Sequence, residues 1–160
     1  MPVTFGQPFK SGDWPASQGL VATDSTGATV PLQIDEISSH SNGSVRFAVL
    51  STKVSNLAAN QSRLVNLFLS GKTTSTPSVP ANPDWNLQLE AKVYNGSTLV
   101  STLVATPQDL LKQQIASGSG KRLSGSVANE YTVVAPFKDA SSGSTHPHLQ
   151  ARLHVRLLDG

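Results

Sequence analysis

The stretch Ser41-Asn42-Gly43-Ser44-Val45-Arg46-Phe47-Ala48-Val49-Leu50 decides the fold class. Asn-Gly is a turn signal, because both residues tolerate the positive φ that tight turns require. It runs straight into an apolar strand that carries a single arginine. The segment just before it, Val30-Pro31-Leu32-Gln33-Ile34-Asp35, alternates apolar and polar residues. That is the period of a strand with one face buried. Together the two segments predict antiparallel neighbours in a small β-barrel or sandwich.

The rest of the chain reads the same way. Short strands are predicted at Val3 to Phe5, Gly19 to Thr23, Thr29 to Ile37, Ser44 to Val54 and Arg63 to Leu69. Turn clusters such as Asp24-Ser25-Thr26-Gly27 separate them, the spacing of a barrel or sandwich. Further on, Trp85 to Tyr94 alternates cleanly, Asn95-Gly96 signals a type I′ hairpin, and Ser97 to Ala105 is the return strand. Strands are also predicted at Ser126 to Pro136 and Leu149 to Leu158. The last has an inner face of Leu149, Ala151, Leu153, Val155 and Leu157, and an outer face of His148, Gln150, Arg152, His154 and Arg156.

One short helix is predicted over about 106–117. Thr106 is placed to cap it, Pro107 suits the first helical position, and Asp109 sits near the positive end of the dipole. Leu110, Leu111 and Ile115 form its narrow apolar face. The fold class is therefore all-β with one helix.

Composition agrees. Of 160 residues, 38% are hydrophobic, enough for a core, and only 14% are charged. Typical soluble domains carry about 25% charged residues. The polar surface must come from Ser, Thr, Asn and Gln, which suits extracellular and virion proteins better than helical cytosolic enzymes. The run from Thr73 to Pro83 is rich in Pro, Ser and Thr and lacks periodicity. It marks a linker or long loop over 73–84 between a barrel-like module at 1–72 and a second β-rich segment at 85–160, the two packed as one unit or separate.

Several function classes are excluded or left without support. The chain has no cysteine, so disulfides, thiolate metal sites and cysteine nucleophiles are absent. The net charge is +2, with no run of lysines or arginines, so nucleic-acid binding has no electrostatic footprint. No apolar run approaches the roughly 20 residues of a membrane-spanning helix. Met1-Pro2-Val3-Thr4-Phe5 lacks the pattern of a signal peptide. A location outside the cell then implies travel without a cleaved leader, for example as part of a virus particle. The final Leu158-Asp159-Gly160 stops at a strand, the pattern of a piece of something longer.

The candidate sites are few. His146 and His148 stand at i and i+2, which on an extended chain puts both imidazoles on one side, roughly 6–7 Å apart. That spacing suits a shared metal if a third ligand comes from elsewhere; the alternative is two loop histidines. Arg152, His154 and Arg156 form a basic row that suits an acidic glycan, a phosphate or an acidic partner; the alternative is a solvated strand face. Trp14, beside Pro15, is the candidate surface aromatic for stacking on a sugar, whereas Trp85 belongs to the inner face of its strand. Arg46 needs a carboxylate if it is buried, and Asp35 and Glu36 on the preceding strand are its candidate partners in a structural ion pair. The acids are mostly single and in turns, and no nucleophile elbow, phosphate loop or zinc-protease motif is present. No catalytic residue and no cofactor are expected.

Three stretches resemble a known family. Gly6-Gln7-Pro8-Phe9-Lys10-Ser11-Gly12, Val30 to Asp35 and His40 to Leu50 are similar to the N-terminal barrel domain of exo-rhamnogalacturonan lyase-like proteins. They are also similar to bacteriophage tail-associated proteins that carry the same module, as are Gly125 to Glu130 and His146 to Arg156. In the lyase-like proteins catalysis is attributed to later parts of a much longer chain. The resemblance therefore implies architecture and carries over no catalytic residue. It implies a non-enzymatic, structural component of a phage tail tip or baseplate, located in the virion. Its partners would be neighbouring tail proteins and further copies of itself, with a surface glycan as an additional ligand. The alternative is a secreted carbohydrate-binding accessory domain of a polysaccharide lyase or hydrolase, with Trp14, Arg152 and Arg156 as contacts.

Overall fold

The computed structural model describes residues 2–55, 57–71 and 85–158. Eleven strands and one helix follow in order: β1 (Pro2–Pro8), β2 (Gln18–Asp24), β3 (Thr29–Val30), β4 (Leu32–Ser39), β5 (Val45–Lys53), β6 (Val65–Gly71), β7 (Leu89–Asn95), β8 (Thr98–Ala105), α1 (Pro107–Ser117), β9 (Lys121–Ser124), β10 (Ala128–Asp139) and β11 (Thr145–Leu158). The fold is all-β with one helix, as the alternation of the sequence requires. The proposed linker over 73–84 lies outside the described residues.

The described chain divides into two compact units. One takes β1 to β6 together with Leu123–Asn129; the other takes β7, β8, α1 and most of β10 and β11. The first unit holds two three-stranded sheets, ordered β1-β5-β4 and β3-β2-β6. The strand that follows Asn42-Gly43 is the centre of its sheet, with β1 and β4 antiparallel on either side. The turn itself works through its side chain: Asn42 Oδ1 accepts from the Ser44 amide at 3.1 Å and the Ser44 hydroxyl at 2.7 Å. Gly43 takes φ of 82°, open to glycine and strained for most other residues. Trp14, Leu20, Val45, Ala48 and Leu50 form the core of this unit.

Two sequence expectations fail here for a physical reason. Trp14 is not a surface platform. It is 3% exposed, its ring meets Phe9 edge-on at 5.1 Å, and its indole N–H donates to the Gln18 carbonyl at 2.9 Å. An indole with its one donor satisfied is well suited to a core. Arg46, in turn, is exposed. The β4–β5 register steps from Ser38↔Phe47 to Ser39↔Val45, so Arg46 is the extra residue of a bulge. Asp35 lies opposite Val49 and gives its carboxylate to Gln33 and to the Ser124 amide. No Arg46–Asp35 pair forms, and the side chain of Glu36 is outside the described residues.

The second unit is a sheet ordered β11-β10-β8-β7, with β9 pairing β10. Leu103, Ala105, Ala135, Phe137 and Ala151 form its core, and Leu110 of α1 packs against them. The helix spans the expected residues, closed by Gly118 in the left-handed region, but Thr106 makes no side-chain cap. β7 starts four residues later than the alternation suggests, because the Leu87 amide donates to the buried Gln108 side chain of α1 at 3.1 Å. The hairpin also differs. Asn95 pairs with Thr98, so Gly96 and Ser97 are the central residues, and only Gly96 has positive φ. That is the requirement of a type II′ turn, reached through a bulge between Val93 and Tyr94.

Candidate functional site

The basic row is a built feature of β9, β10 and β11. Along β11, Ala151 is buried while Arg152, His154 and Arg156 are exposed, so the three basic side chains share the outer face. Glu130, on β10, meets Arg156 from below with a side-chain exposure of only 7%. Arg156 grips Glu130 Oε2 with both Nε, at 2.8 Å, and a terminal nitrogen, at 2.5 Å. Arg122, from β9, donates to the other oxygen, Oε1, at 3.0 Å. One buried carboxylate thus holds two guanidinium groups from two different strands.

The electrostatics follow from that geometry. Burial opposes ionisation of Glu130, but the hydrogen bond and charge of Arg156, joined by the charge of Arg122, outweigh it and hold the carboxyl below its ordinary value. His154 is fixed beside them through Nδ1, which meets the Thr132 hydroxyl at 3.2 Å. Arg152 has no ion-pair partner among the described residues. Three arginines against one glutamate leave this face with excess positive charge. Planar guanidinium groups match carboxylates two bonds at a time, which a lysine ammonium does not.

The other candidates resolve differently. The His146 and His148 rings stand 6.4 Å apart, edge to face, as the strand spacing implies. His146 Nδ1, however, accepts the backbone amides of Leu149 at 2.9 Å and His148 at 3.3 Å. Among the described residues no group of three or more metal-ligating side chains gathers there or elsewhere. Asp139 is a turn carboxylate. Oδ2 accepts from the Ser101 hydroxyl at 2.5 Å, while Oδ1 takes the amides and hydroxyls of Ser141 and Ser142. These bonds, Ser101's first, hold it far below the usual carboxylate range.

Two features escaped sequence reasoning. Glu130 is one acid among several in the sequence; only the fold places it under two arginines from separate strands. The second is a cavity of about 380 Å³ in the first unit, walled by Val3, Phe5, Leu32, Val54 and Leu67 together with Arg63. Arg63 is engaged with the Ser55 carbonyl at 2.8 Å and lies 3.7 Å from Asp24. No single stretch of sequence signals that cavity, because β1, β4, β5 and β6 all contribute.

Residues 1–66 match the family model described as the PcRGLX-like N-terminal RIFT barrel domain. No curated protein and no solved structure matches the chain. The match covers the strands of the first unit up to the start of β6, and it supports the barrel reading of that part. It lends nothing to attachment in a phage tail or baseplate. No helix among the described residues is long and apolar enough to cross a membrane.

Proposed function

We propose that this chain is a non-catalytic binding module that engages acidic polysaccharide through the outer face of β9, β10 and β11. The observation that carries this reading is the buried Glu130, which orients Arg156 and Arg122 while Arg152 stays unpaired beside them. A pre-organised guanidinium loses little freedom on meeting a ligand carboxylate. Uronic acid residues supply such carboxylates at regular intervals along a glycan. The likeness of residues 1–66 to the PcRGLX-like N-terminal RIFT barrel domain supports an accessory role. Assembly into a virion, the other reading of the sequence, rests on the resemblance of motifs alone.

The test is calorimetric titration with polygalacturonate against an uncharged glucan. Saturable binding to the acidic polymer alone is expected, weakening with salt as exposed ion pairs do. Arg152→Gln should weaken it about tenfold, the scale of one lost charge-assisted contact. Equal binding of both polymers, or full affinity in Arg152→Gln, overturns the reading.

A further inference from the structure

The strand order of the second unit's sheet ends at β7, so among the described residues no strand pairs with its outer edge. An open edge presents a row of unpaired amides and carbonyls and invites another strand. What the edge invites is written in its sequence, Leu89-Glu90-Ala91-Lys92-Val93. Read antiparallel against itself about Ala91, the segment is self-complementary. Leu89 falls opposite Val93 of a second copy, Glu90 opposite Lys92, and Ala91 opposite Ala91. We propose that two copies of this chain pair through β7 in this register, joining their sheets about a two-fold axis.

Electrostatics select that register. Centring the pair on Glu90 sets Glu90 against Glu90, and centring it on Lys92 sets Lys92 against Lys92. Like charges directly opposite are destabilising. A slip of one residue would set the apolar row against the charged row. Within one copy, Lys92 Nζ already lies 3.4 Å from Glu90 Oε1, with side chains 52% and 45% exposed. Both charges are therefore on one accessible face, and pairing exchanges a bond within the strand for two across it. Val93, 42% exposed, gains Leu89 as a cross-strand neighbour. The register with β8 shifts after Val93, where Val100 of β8 is the extra residue, and the self-complementary segment Leu89 to Val93 lies wholly in the regular run before it. The symmetry is that of an isologous dimer, in which one patch meets itself.

The experiment is sedimentation equilibrium on the full chain and its charge variants, with circular dichroism to verify folding. Wild-type protein should show a concentration-dependent monomer–dimer equilibrium. Glu90→Lys and Lys92→Glu should each raise the dissociation constant on the order of tenfold or more, since each turns both attractive pairs repulsive. Mixing the two single variants should restore a dimer, now mixed, and the double exchange E90K/K92E should restore it in one chain. A wild-type monomer at the highest soluble concentration overturns the proposal. So does a dimer indifferent to both single variants, or a mixture of them that stays monomeric.

Discussion

Gln33→Leu should destabilise the first unit far more than a swap of similar size in an apolar core. Gln33 is 3% exposed on β4. Its Oε1 accepts from the amides of Val127 at 2.8 Å and Ala128 at 2.9 Å. Its Nε2 donates to the Ala128 carbonyl at 2.7 Å and to Asp35 at 2.6 Å. Two acceptor lone pairs and two donors are the full capacity of an amide side chain, and all are used. Leucine leaves two amides and a carbonyl without a partner beside Val127 and Ala128, which are 2% and 0% exposed. A buried polar group left unpaired costs about 1–3 kcal/mol, so the loss should be about 3 kcal/mol or more. That is a large fraction of the roughly 5–15 kcal/mol that holds a domain together.

Urea unfolding measures the loss as a shift of midpoint at constant slope, and amide exchange localises it to Val127 and Ala128. Gln33→Glu separates bonding from packing, because it keeps the shape and one acceptor but removes both donors. At neutral pH the introduced carboxylate faces the Ala128 carbonyl and Asp35, so its pKa in the folded state must rise above the unfolded value. Its folded state then binds more protons than the unfolded chain. Stability is therefore best below the unfolded pKa and is lost as pH rises through the folded one. A loss below about 1 kcal/mol in Gln33→Leu, within the scatter of ordinary substitutions, would refute the account.

Three other outcomes follow from the same geometry. Arg46→Met should change stability by no more than about 0.5 kcal/mol in urea unfolding, because the side chain is an exposed bulge residue with no ion pair to lose among the described residues. Trp14→Ala should cost about 3–5 kcal/mol by the same measurement, since it empties a core position, and no isolated loss of glycan binding should appear. Glu130→Gln should flatten the acid limb of the stability profile. The native carboxyl titrates below its ordinary value, so its contribution is present above the unfolded pKa and fades as pH falls through the folded one; chemical unfolding across the acid range reads this directly.

What the sequence reveals is what neighbouring residues determine. The alternation of β11 appears as its burial pattern from Ala151 onward, because period two is a local property, whereas Leu149, expected on the inner face, is exposed. The Asp24 turn is legible for the same reason: the carboxylate bonds to Thr26 and Ala28, two and four residues on. Pairing across the chain is where local reasoning fails. Asp35 and Arg46 are opposite in charge, yet Asp35 lies opposite Val49, three residues along β5 from Arg46, so alternation alone puts them on different faces. Trp14 beside Pro15 looks like a surface loop until its ring is seen beneath Val45 and Phe9. Glu130, Arg122 and Arg156 come together only through strand register, so no motif spacing announces them.

The reach of Gln33 also bears on what counts as the barrel. The family match ends at residue 66, yet the first unit includes Leu123–Asn129. Gln33 and Asp35 spend their polar atoms on that later segment, and Gly125 approaches so closely that an added Cβ would lie 2.3 Å from Gln33 Cδ. A close approach of this kind is a reason for glycine independent of turn geometry. A fragment of residues 1–71 would keep β1 to β6 and the bond between Gln33 and Asp35, but lose the bonds of Gln33 to Val127 and Ala128 and that of Asp35 to Ser124. It should therefore be markedly less stable than the full chain in urea, and a peptide spanning 122–130 should restore protection to it. The same peptide carrying Gly125→Val should fail, as should the wild-type peptide added to a Gln33→Leu fragment. If the bare fragment unfolds at the midpoint of the full chain and ignores the peptide, the later segment is an ornament on the barrel and not part of it.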